Sequence, residues 1–399
     1  MPQLAKRMGR AKPSAIMVVA EKAKQLKAEG RDIISFSIGV PNFLPGDHVY
    51  AAAREALEHD SGQYGSNRGS NELLDAFLKH IEQVGLTGYT RANCATGIGA
   101  KHVLYNLCEA LLDEGDGFAF ATPYWTSYVD IGEILDADIQ LLPCPAEQDY
   151  KLTPAQLDAA LAKKPKVFLF NNPSNPTGMV YTRDEISALA DVLVKHPETW
   201  VITDDIYNRM VFDGIGYHNF VHARPELRER VVFMDSLSKT YGMPGWRAGF
   251  MVGPEVVAKA VTTMNSNHIT NIPEIVTAAA VAALSGPQDV PDAKRAEFQA
   301  KRDQVVAALN AIPGVVCPVP QGAFYAFPDI SVAFGKSHDG KAIANDVDLC
   351  NALLEAKGVA CVPGSAFGEP RGLRISYTCP TPQLAPGLQR IQEFFAELK

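Results

Sequence analysis

From about residue 95 onward, short apolar runs alternate with helical patterns, and this alternation restricts the folds that the chain can adopt. The helical patterns cover 100–112, 125–135, 154–163 and 182–196, and the apolar runs are GFAFATP, VFLFN, TWVITD, VVFMDS and AGFMVG. Near-continuous apolar runs are typical of strands in a parallel sheet whose two faces are both covered. The pattern therefore predicts an α/β domain with a mostly parallel, doubly wound central sheet.

The regular alternation of apolar runs and helical patterns ends at about residue 290, and this change predicts a second, smaller α+β domain. A long charged helix is followed by FYAFPDI, a helix near 346–357, VACVPG and LRISY. At the other end, Ser14 is a candidate cap of a first helix, and IISFSIGVPNF is predicted to be a strand that enters a loop. With 399 residues the chain can form two cores. We predict a large domain at 45–290 and a small domain from 1–44 and 291–399 that closes over the active site.

Composition excludes several classes of protein. A net charge of −8 argues against general affinity for nucleic acid or anionic membranes. No apolar run reaches the length of a membrane span, and the basic N-terminus lacks the apolar core of a signal peptide. The 7 cysteines are scattered and never form a CxxC pair, which indicates reduced thiols rather than a zinc site. We expect a cytoplasmic protein without a bound metal.

The ends of the predicted strands carry polar residues, and ligands bind at such ends in open α/β sheets. After VVFMD come Ser236, Ser238 and Lys239, with Arg247 eight residues beyond the lysine. Hydroxyl groups with a lysine and an arginine can hold a phosphate. Taken alone, Ser-x-Ser-Lys is more often a solvated loop.

Three further strand ends add to this set. VFLF precedes NNPSNPTG, whose prolines fix Asn175, although Asn-Pro pairs also form ordinary turns. TWVIT precedes Asp204 and Tyr207; a buried acid there must be paired, with a helix cap as the alternative. The segment ATGIGAK at 95–101 opens a helix with glycines that let backbone N–H groups approach an anion. Pyridoxal 5′-phosphate (PLP) offers a phosphate, a pyridinium nitrogen, a phenolate and an aldehyde, which would use all four strand ends.

The motifs SLSKTYGMPGWRAGF, NNPSNPTG, DDIY and LRISY together resemble the aspartate aminotransferase family of fold-type I PLP enzymes, in particular its bacterial subgroup. The resemblance runs from KPSAI near residue 12 to RISY at 374–377. It implies a PLP-dependent transaminase that moves amino groups between amino acids and 2-oxo acids by a ping-pong reaction through pyridoxamine phosphate. The implied fold is that of the PLP-dependent transferases of fold type I.

The resemblance also implies a role for each catalytic residue. Lys239 is expected to form the Schiff base and then to shuttle the Cα proton. Asp204 is expected to pair with the pyridine nitrogen, so that the ring accepts electrons. Tyr207 and Asn175 are expected to bind the phenolate oxygen, and Trp125 to stack on the ring, with an ordinary core tryptophan as the alternative.

The remaining implied contacts concern the phosphate, the substrate and a second subunit. The phosphate ligands are expected to be Ser236, Ser238, Arg247 and the backbone of Gly99, Ala100 and Lys101. Tyr64 matches a tyrosine that reaches the phosphate from the neighbouring subunit, which implies a homodimer. The substrate-binding residues are expected to be Gly39 through its backbone N–H, Trp125, Asn175, Arg374 for the α-carboxylate, Ser14 and Lys101.

The substrate is the open point of the sequence. Lys101 and Ser14 match positions used by the dicarboxylate specialists of the subgroup, which favours aspartate, glutamate and their oxo acids. The stretch NSNHITNIPE departs from the family, so His268 and Thr270 are candidate specificity residues, although lone histidines are more often incidental. Aromatic or prephenate transamination is the alternative.

Other departures and other classes of protein also bear on this prediction. Pro244 replaces a common threonine, Asp205 replaces the usual glutamate, and the phosphate loop TGIGAKH is unusual. A β-lyase or decarboxylase of the same fold is the competing class of enzyme. A PLP-binding regulator would need a DNA-binding domain, for which the chain has no spare length.

Overall fold

The computed structural model of the chain describes residues 2–59 and 62–399. In this part of the chain the α-helices, numbered α1 to α14 in order, are Ala15–Ala28, Asp47–Glu58, Asn71–Glu82, Ala100–Leu111, Ser127–Leu135, Pro154–Leu161, Arg183–Lys195, Phe220–Ala223, Leu237–Thr240, Glu255–His268, Glu274–Ser285, Asp289–Asn310, Asp346–Lys357 and Thr381–Glu397. The strands β1 to β14 are Ile34–Ser35, Cys94–Gly97, Gly117–Thr122, Asp138–Pro143, Val167–Asn171, Trp200–Asp204, Val231–Ser236, Gly249–Val252, Tyr325–Ala326, Ser337–His338, Lys341–Ala342, Val359–Ala360, Val362–Pro363 and Leu373–Ser376.

The predicted parallel sheet is confirmed, with one strand reversed. The 7-stranded sheet has the order β2-β8-β7-β6-β5-β3-β4. Strands β3 to β7 run parallel, whereas β8 is antiparallel to both of its neighbours. The reversal follows from the connection, because the segment between β7 and β8 holds only the short helix α9 and cannot form a full crossover.

Helices cover both faces of this sheet, as the near-continuous apolar runs predict. On one face, Val103, Leu104 and Leu107 of α4 pack in the same buried cluster as Val232 and Met234 of β7. On the other face, α3 packs against β7 and β8, while α6 and α7 pack against β5 and β6. Because both faces are buried, the polar chemistry is confined to the ends of the strands.

A smaller sheet is formed by segments from the C-terminal part of the chain. Strand β14 lies between β13 and β9 and runs antiparallel to both. Strand β1 pairs in parallel with β12, where Ile34 lies opposite Val359. The N-terminal segment therefore packs with the C-terminal region, as the sequence predicts, although its strand is only 2 residues long.

Local sequence signals explain several of the helix starts. Thr182 and Glu185 form the predicted capping box at the start of α7, where the Thr182 hydroxyl accepts from the Glu185 N–H. Ser14 precedes α1, but its side chain makes no capping hydrogen bond there. In the described part of the chain, no helix combines the length and the apolar character needed to cross a membrane.

Candidate active site

A cavity of about 230 Å³ opens where the carboxyl ends of β5, β6 and β7 meet the small C-terminal sheet. Such strand ends are the usual ligand site of an open α/β sheet. Its walls combine polar side chains from the strand ends with apolar side chains from the N-terminal segment. The lining residues that the sequence singled out are Gly39, Ala100, Lys101, Trp125, Asn175, Asp204, Tyr207, Ser236, Ser238, Lys239, Arg247 and Arg374.

Lys239 lies in the short helix α9, immediately after β7, and its amine faces the cavity. Its Nζ donates a hydrogen bond to the backbone carbonyl of Gly39 at 2.6 Å. Burial, helped by the positive charge of Arg374, lowers the pKa of the Lys239 amine to about 8. An amine with such a pKa is uncharged in a substantial fraction near neutral pH, as a nucleophile or a base must be.

Asp204 ends β6 and is the buried acid of the site, with 1% of its surface exposed. Tyr128 donates a hydrogen bond from its hydroxyl to Asp204 Oδ2 at 2.7 Å. Oδ1 is also buried, and no group in the described part of the chain forms a hydrogen bond with it. Desolvation raises the pKa of Asp204 to about 6. A cationic or N–H donor in the cavity would satisfy this oxygen and would favour the ionised form.

Arg374 is fully buried and is held by polar contacts from two elements. Its Nη1 donates to Asn175 Oδ1 at 3.0 Å, and its Nη2 donates to the carbonyl of Ser37 at 2.5 Å. The rings of Tyr325 and Phe367 each lie 4.8 Å from its Cζ. Cation–π contacts from two rings stabilise a buried guanidinium in one orientation. Its Nε has no hydrogen-bond partner within 2–59 and 62–399, so the group retains a donor for an anion.

The corner between β7, β8 and α4 brings Arg247 together with two serine side chains. Arg247 adopts the left-handed conformation, with φ 59°, and lines the cavity together with Ser236 and Ser238. Gly99 has φ +92°, and a Cβ on it would lie 2.3 Å from Arg247 Nη2. Glycine is therefore required for this close approach between the backbone and the guanidinium. Gly99 itself does not line the cavity but sets the position of Ala100 and Lys101, which do.

Lys101 stands at the mouth of the cavity, over the face of Trp125. Its Nζ lies 4.9 Å from the centre of that ring. Burial lowers the pKa of Lys101, while the carboxylate of Asp130 acts in the opposite sense. Lys101 therefore presents an ammonium group at the cavity wall, where it can contact an anion.

Tyr207 and Tyr325 form a pair of hydroxyl groups on one wall, with their oxygens 2.8 Å apart. Burial raises the pKa of Tyr207 well above its usual range, so the hydroxyl keeps its proton and can donate it in a hydrogen bond. Gly39 passes this wall closely, since a Cβ on it would lie 2.0 Å from Tyr325 Oη. The sequence predicts a role for the Gly39 N–H, whereas its carbonyl is the group that contacts Lys239.

Besides Gly99, four of the residues named from the sequence lie away from the cavity wall. Tyr64 is 87% exposed, and Ser14 is close by in sequence to Ile16, which does line the cavity. His268 has its Nδ1 3.0 Å from Asn106 Oδ1, and Thr270 is in the left-handed conformation. The roles predicted for these residues therefore rest on the family resemblance alone.

Three polar residues of the cavity wall were not predicted. Tyr128, the partner of Asp204, follows Trp125 by one helical turn, and this spacing was an available signal. Asn171 donates from its Nδ2 to the Asp204 carbonyl at 2.6 Å, and its Oδ1 accepts from the Asn175 N–H at 2.7 Å. Tyr325 had no local signal, because its role depends on contacts between segments far apart in sequence.

Comparison with known proteins agrees with this geometry. Residues 31–391 match the family described as aminotransferase class I and II. The aspartate/prephenate aminotransferase of Cereibacter sphaeroides is 40% identical over 399 residues, and the alignment covers 100% of both chains. The aspartate aminotransferase of Rhizobium meliloti is 38% identical over 379 residues, with 95% of this chain and 92% of the relative covered.

Solved structures give the same result. The crystal structure of the aspartate aminotransferase from Rhizobium meliloti superposes with a TM-score of 0.96 at 37% identity and covers 100% of both chains. The Thermus thermophilus aspartate aminotransferase, solved with maleate, has a TM-score of 0.91 at 29% identity and covers 99% of this chain and 100% of its own. The predicted fold type I is thereby confirmed, and the chain belongs to the family of class I and II aminotransferases.

Proposed function

We propose that this aminotransferase binds pyridoxal 5′-phosphate and moves the amino group of aspartate or glutamate to a 2-oxo acid. The observation that carries the proposal is the unpartnered Oδ1 of Asp204, buried within the described structure in the same cavity as the Lys239 amine. Asp204 Oδ1 can accept a hydrogen bond from a ring N–H, and the Lys239 amine can react with an aldehyde. The family also implies this cofactor.

The residues of the cavity fit the cofactor group by group. Ser236, Ser238 and Arg247, with the N-terminus of α4, would hold the phosphate. Asp204 would hold the ring nitrogen, and Lys239 the aldehyde carbon. Trp125 would cover one face of the ring, and Tyr207 and Asn175 would donate to the phenolate oxygen.

When bound, the cofactor supplies an electron-accepting ring for the electron pair that is left on the substrate when the Cα proton departs. The chain supplies the proton chemistry and the orientation. Lys239 Nζ, with its lowered pKa, takes the proton from the substrate Cα and delivers it to the former aldehyde carbon of the cofactor. Arg374 binds the α-carboxylate through two N–H groups and so aims the Cα–H bond at Lys239.

Lys101 supports a dicarboxylic substrate, because it adds a second cationic side chain to the cavity that Arg374 also lines. The names of the relatives support the same substrate, since several are aspartate aminotransferases. The Thermus thermophilus structure was solved with maleate, which is a dicarboxylate. Ser14 is proposed to assist Lys101 on the strength of the family resemblance.

A second candidate function is transamination of prephenate or of aromatic amino acids. The relative from Cereibacter sphaeroides is named for both aspartate and prephenate. Ile16, Ile38 and Val40 line the cavity beside Lys101 and offer an apolar surface to a ring. An apolar wall beside one positive charge can accept both a short dicarboxylate and a ring that bears a carboxylate.

We further propose a homodimer in which Tyr64 reaches the phosphate of the neighbouring subunit. Tyr64 is 87% exposed in the single chain, so its ring is free to contact a second subunit. The division into a domain at 45–290 and one formed by 1–44 and 291–399 is also proposed, supported by the pairing of β1 with β12. The free, buried state of all the cysteines supports a cytoplasmic location.

The test is an absorbance spectrum of the purified protein, recorded before and after the addition of L-aspartate. A long-wavelength band that disappears with aspartate and returns with 2-oxoglutarate would establish both halves of the reaction. A band that aspartate leaves unchanged and phenylalanine or prephenate-derived amino acid removes would favour the second candidate. If no band forms with added cofactor, the proposal is wrong.

A further inference from the structure

A buried hydrogen-bond network lies behind the turn that carries Lys239. Asp235 is its centre, and its Oδ2 lies 3.1 Å from His80 Nε2 and 2.8 Å from Asn208 Nδ2. Its Oδ1 accepts from the backbone N–H of Ser236 at 2.6 Å. The side chains of His80, Asn208 and Asp235 are each only 3% exposed. Since a carboxylate only accepts, His80 and Asn208 are the donors of these two bonds.

The network reaches the site from the opposite face of the sheet. Side chains alternate along β7, so Asp235 points toward α3, whereas Ser236 points into the cavity. Helix α3 is fixed on this face because Phe77 stacks on Phe250, with ring centres 4.7 Å apart. His80, one turn further along α3, is therefore held over Asp235 by the packing of its own helix.

Three buried carboxyl groups lie close together at these strand ends. Burial raises the pKa of Asp205 well above its usual range. The negative charge of Asp235, after the effect of burial, adds to the raised pKa of Asp204. A buried carboxylate at Asp235 therefore needs hydrogen-bond donors of its own, and His80 and Asn208 supply them.

We propose that His80 is a positioning residue that acts through Asp235. The hydrogen bond from His80 fixes the carboxylate that anchors the Ser236 N–H, and so fixes the turn that leads to Lys239. The same turn carries Ser236 and Lys239, the residues proposed to hold the phosphate and the aldehyde carbon of the cofactor. This inference rests on the proposed function, because it concerns the retention of the same cofactor.

The experiment measures the dissociation constant of pyridoxal 5′-phosphate by absorbance, in the purified full chain and without turnover. His80→Leu should weaken cofactor binding about tenfold, the order expected for a buried hydrogen bond to a charged group. His80→Gln, which keeps a donor near the position of Nε2, should bind within about twofold of the wild type. In an Asp235→Asn background, His80→Leu should cause less than about a twofold further loss.

The matched control is His196→Leu, which breaks a histidine–aspartate pair on the surface, where His196 Nε2 lies 2.8 Å from Asp158 Oδ1. This variant should bind the cofactor as the wild type does. If His80→Leu does not fold, His80→Asn takes its place, since its shorter amide cannot reach Asp235. A folded variant without the donor that binds normally would overturn the inference, as would an equal loss in both backgrounds. A wild-type chain that takes up no cofactor would instead overturn the proposed function, and this inference with it.

Discussion

Arg374 donates from its Nη1 to the side-chain oxygen of Asn175 at 3.0 Å. This hydrogen bond joins β14, the central strand of the small sheet, to the loop after β5. The contact links the group proposed for the substrate carboxylate with a group proposed for the cofactor. A ligand that binds at either of these two groups should therefore affect the affinity at the other. It also fixes the guanidinium plane, which decides how a carboxylate can approach.

Replacement of this arginine by lysine tests the carboxylate site. Arg374→Lys should raise KM for the amino acid about 100-fold or more, because an ammonium group cannot form two parallel hydrogen bonds from a fixed plane. Steady-state kinetics with aspartate measures the effect. The control is Arg371→Lys, which alters an exposed arginine that pairs with Glu147 and should leave KM unchanged. An unaltered KM in Arg374→Lys would exclude the assigned role.

Removal of the cavity amine should stop the reaction while the protein stays folded. Lys239→Ala should reduce kcat by about 10⁴-fold or more, since no other base stands in the position that it leaves. Turnover and circular dichroism are measured on the same sample, with Lys259→Ala, an exposed lysine, as the control. Normal turnover in a folded Lys239→Ala protein would refute the mechanism.

The pKa of Lys239 predicts how the cofactor is taken up at different pH values. Because burial lowers this pKa to about 8, the amine is protonated at pH 6 and largely neutral at pH 9. Only the neutral amine is a nucleophile, so the rate of cofactor uptake by the cofactor-free protein should rise with pH, with a midpoint near 8. Stopped-flow absorbance follows the rate. A rate that is flat or falls over this range would contradict the prediction.

The hydrogen bond from Tyr128 should lower the pKa of Asp204. Its hydroxyl donates to Asp204 Oδ2, so Tyr128→Phe removes a group that stabilises the carboxylate and the pKa of Asp204 should rise. Asp204 would then lose its charge at a higher pH, and the acid limb of the activity profile should move upward, with kcat reduced about tenfold. Tyr124→Phe is the control, since the contact recorded for its ring is with Phe120. Equal profiles for Tyr128→Phe and the wild type would rule out this coupling.

Lys101 should separate the two candidate substrates. Lys101→Met removes the positive charge over Trp125, so kcat/KM for aspartate should fall about 100-fold, while that for phenylalanine should change less than about threefold. Competing substrates in one assay give the ratio directly. If both values fall together, Lys101 acts on the cofactor or on folding instead of on the distal carboxylate.

Much of the large sheet was predictable because its strands are apolar runs between capped helices. The strands β3, β5, β6 and β7 and the helix at 346–357 are confirmed nearly to the residue. Strand β4 escaped prediction because its half-exposed, polar sequence lies at the edge of the sheet. FYAFPDI forms a continuous ladder only over Tyr325–Ala326, because Pro328 has no N–H to donate to a neighbouring strand. Beyond the proline, Asp329 makes only isolated bridges.

The residues of the site were predictable from motifs, but their contacts were not. Lys239 and Arg247 lie in one segment, so their proximity follows from a short connection. The bonds from the Asn171 side chain to the Asp204 carbonyl, and between the His80 and Asp235 side chains, join residues 33 and 155 positions apart. Such pairs depend on strand order and on which face of a helix meets the sheet, and neither is encoded locally.

The contact between Arg374 and Ser37 spans 337 residues of the chain. During synthesis, Arg374 is the last of the cavity residues to emerge, long after the phosphate corner between Ser236 and Arg247. During synthesis, the segment that contains Ser236 and Arg247, proposed to bind the cofactor phosphate, is thus complete before Arg374, proposed to bind the substrate carboxylate, has been added. The residue proposed to bind the substrate carboxylate is therefore added last, and a chain that terminated early would carry only the residues proposed to bind the cofactor.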